Sequence, residues 1–371
     1  MGQLEATTDT GDVTSLGRPW LMLGVVGLTL LAALGLSLFL PHDRYTRYQQ
    51  LGDTLHFRSI WAYERIVYDP APIDIAILGN SRLRAGVSAP GMQAALSNAL
   101  GREVKVVNLS LPQEGRDAHY ALAKVLFEHR PEVQLVILSA IEEMPRQSHP
   151  AFGNIADPLD ALFAPTLINP SYGENLAFTS FRQLSLAAET ALPGAFGIKG
   201  FDNAKYLGTD FDTTTSYMSA TGNFVDKDTI YSAEELRGPA RKRIASITKP
   251  VLPELFAANE YAVEYRYTNA IAQLAEDRGA RVGFLYLPVF EHQAPLAQEA
   301  FYTKLGPVFS ATCIADRHEM FSDYGHMNHQ GALQVTDYFA SALLSQRDLL
   351  GISPSRAQRL ERAPKVFTIC P

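Results

Sequence analysis

Cysteine is nearly absent, with two in 371 residues. That is too few for a disulfide-rich scaffold or a four-thiolate zinc site. The longest basic run is Arg241-Lys242-Arg243, so no polybasic segment awaits anionic lipid. The formal net charge is −7 and the pI is near 5.7. Nucleic acid is not an expected partner, because phosphates demand a basic surface. No internal repeat is visible. What is present is apolar: 47% hydrophobic content excludes a wholly disordered chain and permits a sizeable core. The length suits one large domain or two ordinary ones.

Charge is also missing locally. Residues 20–40, from Trp20 to Leu40, carry none. About 21 apolar residues can cross a roughly 30 Å hydrocarbon core as a helix. Arg18 and Trp20 flank one end, and Pro41, His42, Asp43 and Arg44 the other, as interfaces favour. The alternative is a cleaved signal peptide, but the run is long for one and no Ala-x-Ala-like site follows. The expectation is an N-terminal tail at 1–19 and a single membrane span at 20–40. Counting only Lys and Arg, Arg44, Arg47 and Arg58 beyond the span lean towards a cytoplasmic domain.

After a membrane-proximal connector at 41–72, with one short helix over 54–67, short apolar runs alternate with helical spacings. Strands are expected at 73–78, 104–109 and 133–138. Helices lie between them at 92–100, closed by Gly101, and at 117–129, with Pro131 beyond. The rhythm lapses from 142 to 253, a stretch with Pro145, Pro150, Pro158, Pro165, Pro170 and Pro193. A structureless loop of that length is improbable, so an inserted, partly helical cap is expected. The rhythm returns with a long helix near 254–278, a strand at 282–287, a segment at 308–314 and a last helix over 328–344. Apolar strands alternating with helices predict an α/β/α domain with a mostly parallel sheet, from 73–141 and 254–350. The polar tail, 351–371, is expected as a surface extension.

Two places carry chemistry. Gly79-Asn80-Ser81 follows the first strand, at the rim where open α/β sheets build their sites. A serine hydroxyl is inert at neutral pH unless a base takes its proton. Near the far end stands Asp323-Tyr324-Gly325-His326. There the carboxylate can hold one imidazole nitrogen while the other serves the serine. Ser81, His326 and Asp323 are the expected relay. Other readings stay open: a plain turn at Gly79-Asn80-Ser81, a metal site from Asp323, His326 and His329, or Asp316 with His318 as the working pair. Glu291-His292 reads as solvated loop, and His119 and His129 as helix surface.

Taken together these residues resemble the SGNH (GDSL-type) hydrolase and acyltransferase superfamily. Its first motif is matched by Gly79-Asn80-Ser81, and its last, Asp-x-x-His, by Asp323-Tyr324-Gly325-His326 with Asn328 and Gly331 after it. Its second block is matched by Val106-Val107-Asn108-Leu109-Ser110-Leu111 and then Gly115. The resemblance covers roughly 73–141 and 280–345. It implies a flavodoxin-like three-layer fold, Ser81 as nucleophile, His326 as base and Asp323 as its orienting partner, with no cofactor and no metal. The third block departs: Ser139-Ala140-Ile141-Glu142-Glu143 lacks the usual Asn. The oxyanion hole is therefore expected to use the N–H groups of Ser81 and Gly115, helped by the side chains of Asn80 or Asn108. With an anchor, the resemblance points to the acyl-transferring branch. Such proteins work outside the inner membrane on O-acylated, often O-acetylated, polysaccharides, beside a multi-span membrane acyltransferase. In that oxidising compartment Cys313 and Cys370 could pair. The cap would shape the acceptor groove, its Tyr172, Phe178, Phe181, Tyr206 and Tyr217 facing sugar rings. The other reading is a catalytically inactive assembly or binding protein of the cell envelope.

Overall fold

Ten residues of β1 and β3 are buried without exception, which is why these strands read as unbroken apolar runs. The computed structural model describes residues 17–215, 217–218, 224–225, 228–294, 296–350 and 366–369. In chain order its elements are α1 (Gly17–Ser37), α2 (Arg44–Gln49), α3 (Arg58–Val67), β1 (Ile75–Leu78), α4 (Ser81–Gly86), α5 (Ala89–Leu100), β2 (Val106–Asn108), α6 (Arg116–His129) and β3 (Leu135–Ala140). Then come α7 (Phe152–Ile155), α8 (Pro158–Leu162), α9 (Tyr172–Ala191), α10 (Pro193–Phe196), β4 (Tyr217–Met218), β5 (Phe224–Val225) and α11 (Ala233–Ala245). The chain continues with α12 (Ala257–Glu260), α13 (Ala262–Asp277), β6 (Arg281–Tyr286), α14 (Glu299–Leu305), β7 (Val308–Ser310), α15 (His329–Ser345) and β8 (Val366–Thr368).

Six strands form one sheet in the order β2-β1-β3-β6-β7-β8, every pair parallel. Strand alternation sends Ala76, Leu78, Val136, Leu138 and Phe284 to one face, where α3, α6 and α13 cover them. Ile75, Ile77, Leu135, Ile137 and Leu285 go to the other, under α5 and α15. The result is a three-layer α/β fold. The chain moves outward in opposite directions from β1 and β3, and a doubly wound sheet opens its crevice at that point, beyond the carboxyl ends of the strands. Residue 79, the first past β1, stands at this crevice.

α1 is 21 residues long. Its Pro19–Ser37 stretch has a mean hydropathy of 2.0 and is almost wholly exposed. It is long and apolar enough to span a membrane or to act as a signal sequence.

Four expectations change. The stretch 41–72 holds two helices, not one, and is part of the core: Tyr48, Trp61 and Ile66 are buried in it. The long helix near 254–278 is broken. Tyr261 leaves helical geometry at φ −107°, ψ 39°, beside a buried Glu260 whose carboxylate accepts from the N–H groups of Val251 and Leu252, each at 2.8 Å. The tail is more than a surface extension. Val366–Thr368 adds β8 to the edge of the sheet, and Phe367 stacks on Phe309 with ring centroids 5.5 Å apart. Its β-branched and aromatic residues suit a strand. Finally, 142–253 packs on both layers: α7 lies against α6, while Leu236 and Ala240 of α11 enter the opposite core.

Candidate active site

Asn80 begins the site. Its side-chain Oδ1 accepts from the N–H groups of Arg82 at 3.0 Å and Leu83 at 3.3 Å, capping α4 as a short polar residue does. Ser81 is therefore the first residue of α4, held at the tip of the turn after β1 and half-buried. Its own N–H is a first-turn donor that the cap leaves over.

The partner loop is built as firmly. Phe321 and Met327 form an isolated antiparallel bridge, and Ser322 N–H donates to the His326 carbonyl at 2.9 Å. At the tip, Asp323 Oδ1 accepts from Gly325 N–H at 2.8 Å and His326 N–H at 2.9 Å. Asn328 then caps α15, accepting from Gly331 N–H at 2.7 Å and donating to the Glu319 carbonyl at 2.7 Å. A Cβ on Gly331 would stand 2.2 Å from the Met320 carbonyl oxygen, so only glycine lets α15 start this close. These bonds join the first turn of α15 to the loop that carries Asp323 and His326.

The two loops meet across 245 residues of sequence. His326 Nε2 lies 2.8 Å from Ser81 Oγ, and Nδ1 lies 3.0 and 2.8 Å from the two Asp323 carboxylate oxygens. With Asp323 accepting at Nδ1–H, Nε2 is the basic nitrogen and can receive the Ser81 proton.

The expected oxyanion donors divide. Gly115 ends the turn before α6 at φ +140°, and a Cβ there would meet the His149 backbone nitrogen at 2.4 Å. Glycine is required on both counts. The loop that carries it is tied to the Ser81 turn, since Leu111 N–H donates to the Gly79 carbonyl at 2.8 Å and Asn80 Nδ2 donates to Glu114 at 2.5 Å. Asn108 is a correction. It is fully buried, and its Nδ2 donates to the carbonyls of Leu83 at 3.0 Å and Val87 at 2.9 Å. Both its hydrogens hold α4 in place, so it has none for a substrate. Asn80 keeps one hydrogen beyond its bond to Glu114.

Where the third-block Asn would stand, Glu142 forms a two-pronged ion pair with Arg82, both bonds 2.6 Å. Arg243 adds a third contact at 3.2 Å. Burial works to raise the Glu142 carboxyl, but Arg82 outweighs it and holds the group down at about 2. Glu114 goes the other way. Burial pushes it up to about 7, against the opposing pull of Arg82 and Asn80. It lines a cavity of about 790 Å³ together with Gln147, Asn169 and Arg243. A second hollow of about 520 Å³ reaches Tyr324 of the His326 loop and shares Arg243 with the first. Of the aromatics expected to face sugar rings, Tyr172, Phe178, Phe181 and Tyr206 line neither hollow. Tyr172 donates to the Leu162 carbonyl and Tyr206 to Asp69. The Tyr217 side chain lies outside the described residues. Sequence reasoning missed Arg82, Glu142 and Glu114, because their pairings span 34 and 60 residues and leave no local pattern.

The rival sites do not assemble. His329 turns to Thr214 Oγ1 at 3.1 Å, and among the described residues no group of three or more His, Cys, Asp or Glu is placed to hold a metal ion. His318 faces the Tyr231 carbonyl at 2.9 Å, whereas Asp316 receives Gln293. His119 is not on the surface. It is buried with His149 and His56, whose rings lie 6.2 and 4.8 Å apart along the chain His119–His149–His56. His292 is buried at the margin and Glu291 pairs with Arg237 at 2.8 Å, so that pair is not a free solvated loop. Cys313 is disulfide-bonded; Cys370, its expected partner, lies outside the described residues.

Fold and site together define a doubly wound α/β chain with a Ser-His-Asp hydrogen-bond chain at its crevice. No protein-family model matches this chain, and no curated protein matches it.

Proposed function

We propose that the chain is a membrane-anchored serine esterase or O-acyltransferase of the SGNH type, acting through an acyl-Ser81 intermediate. The observation that carries this reading is the continuous run of hydrogen bonds from Ser81 Oγ through His326 to Asp323. Ser81 Oγ attacks the ester carbonyl carbon while its proton passes to His326 Nε2. The negative charge on the carbonyl oxygen is met by the N–H groups of Ser81 and Gly115, with the remaining Asn80 hydrogen in reach of the same turn. The C–O bond of the ester breaks, and His326 returns the proton to the leaving oxygen. Water or a sugar hydroxyl then gives its proton to His326 and attacks the acyl carbon, the acyl–Oγ bond breaks, and His326 returns the proton to Ser81 Oγ. Asp323 stabilises the imidazolium in both halves.

The charged and amide side chains lining the cavity at Glu114, among them Gln147, Asn169 and Arg243, support an acceptor rich in hydroxyls, consistent with an O-acetylated cell-surface polysaccharide. α1 supports anchoring in a membrane; the periplasmic side of the inner membrane and a multi-span membrane acyltransferase as donor partner rest on the resemblance. The test is active-site labelling of the purified full chain with a fluorophosphonate. Labelling that disappears in Ser81→Ala and His326→Ala, with both variants folded, supports the reading. Full ester cleavage by Ser81→Ala removes it. A second reading, an inactive assembly protein of the cell envelope, draws on one observation: Glu142, locked onto Arg82, occupies the block where the family's third oxyanion donor stands. An unlabelled wild-type chain that binds its polysaccharide favours that reading.

A further inference from the structure

The face of α9 turned away from the domain is apolar from Ala177 to its C-terminal end, one turn past the exposed Glu174. Ala177, Phe181, Leu184, Ala188 and Leu192 follow at steps of four, three, four and four residues, one stripe of an α-helix. All are exposed, with Phe181 at 68% and Leu192 at 61%, and Phe196 of α10 extends the stripe at 52%. Residues 175–196 contain two charges, Arg182 and Glu189, and both turn from the stripe. Arg182 is buried and donates to the carbonyls of Gly153 and Asn154. Glu189 receives Gln50 and Ser185. The opposite face, with Thr179, Gln183 and Leu186, is buried in the domain. The helix is therefore seated firmly with its apolar side out. A contiguous exposed apolar patch of this kind marks an interaction surface.

Its location names the occupant. α9 packs against α1 and is bonded to the segment just beyond it. Gln183 Nε2 donates to the Leu38 carbonyl at 3.4 Å, and Asp43 N–H donates to Thr190 Oγ1 at 3.1 Å. If α1 crosses a bilayer, residues 38–43 lie at the membrane–water boundary, and α9 is held at that level. Phe39, 71% exposed, is an apolar neighbour at the same height. We propose that α9, with Leu192 and Phe196 beyond it, rests its apolar stripe in the lipid interface as a second membrane contact. This clamps the domain against the bilayer in one orientation. The proposal is independent of the chemistry of Ser81 and rests on α1 being a span.

The test reconstitutes the full chain in phosphatidylcholine vesicles, using lipid with or without bromine on the acyl chains. Phe181→Trp and Phe196→Trp are compared with Tyr338→Trp, which sits on α15 across the sheet, and the emission of native Trp20 and Trp61 is subtracted using the parent chain. Alkaline carbonate extraction is run alongside to report on α1 by itself. The expected result is a carbonate-resistant chain in which brominated lipid removes roughly half or more of the added emission at 181 and 196 and little at 338. A carbonate-resistant chain with 181 and 196 no more quenched than 338 overturns the stripe and leaves the span standing. A chain released by carbonate overturns the premise. Shielding of position 181 that requires two copies in one nanodisc assigns the stripe to a second copy instead and also overturns the proposal.

Discussion

At the scale of single residues, the proposed mechanism divides one task among a hydroxyl, a ring and a carboxylate. Asp323 accepts two backbone N–H bonds besides the imidazole, so an amide in its place retains an acceptor for the loop but loses the charge. Asp323→Asn should melt within a few degrees of the parent and lose on the order of 10²–10⁴ in kcat, read from hydrolysis of an aryl acetate. Glu114 adds a pH effect. Held up to about 7 by burial, it is neutral below that value and a carboxylate above. A negative charge bonded to Asn80 opposes the negative charge that develops on the substrate oxygen. Activity of the parent should therefore decline on the alkaline side of about pH 7, and Glu114→Gln should remove that decline. An unchanged alkaline limb in the variant contradicts the assignment. The hydrogen-bonded Ser81–His326–Asp323 chain was legible in the sequence because each motif is local: a serine just past a strand, and a carboxylate three residues before a histidine. Glu114 and the Arg82–Glu142 pair were not, since the first pairing exists only once β1 and β2 lie side by side and the second only once β1 and β3 do.

At the scale of elements, the site depends on how α4 and α6 are held. Arg82 on α4 and Glu142 just past β3 form a buried two-pronged pair. Arg82→Ala leaves the Glu142 charge buried and should cost about 3–5 kcal/mol in denaturant unfolding, whereas Arg82→Met with Glu142→Met should recover most of it. Gly115→Ala puts a methyl group against the His149 backbone at a φ of +140°. The expected loss is roughly 3 kcal/mol or more, with the Gly115 loop displaced and, under the proposed mechanism, kcat falling further than stability alone explains. The strands and helices of the sheet were readable from apolar runs and helical spacing. The break at Tyr261 and the edge strand β8 were not. One follows from Glu260 taking two backbone N–H groups, the other from a short segment pairing with a strand 58 residues earlier (Val308 with Val366).

At the scale of the whole molecule, buried ionisable groups set the response to acid. Burial, aided by His56, holds His149 at about 3, and burial with Arg116 holds His119 well below its usual value. Both are neutral in the fold and take up protons when unfolded, so they favour stability that is lost as pH falls below about 6.5. Asp117 has the opposite sign: burial raises it to about 7, so the folded chain keeps its proton where the unfolded chain has released it. Asp117 thus offsets part of the acid loss. Asp117→Asn keeps the acceptor for His149 N–H and removes that offset. Stability should then fall on acidification more steeply than in the parent, by about 1.4 kcal/mol per pH unit from about pH 6.5 to 4.5. Urea titrations at a series of pH values measure the difference.

The sequence by itself determined what its short-range order can express: an uncharged apolar run, strands alternating with helices, and two motifs whose members lie within a few residues of each other. The periodicities of helix and strand and the local reach of a turn are enough for these. Only the tertiary structure decided that Asn108 braces α4, that His119 is buried, that the tail closes the sheet, and that the bare face of α9 stands beside the foot of α1. Each of these depends on partners far apart along the chain, and burial and hydrogen-bond satisfaction for such residues exist only after the layers have packed.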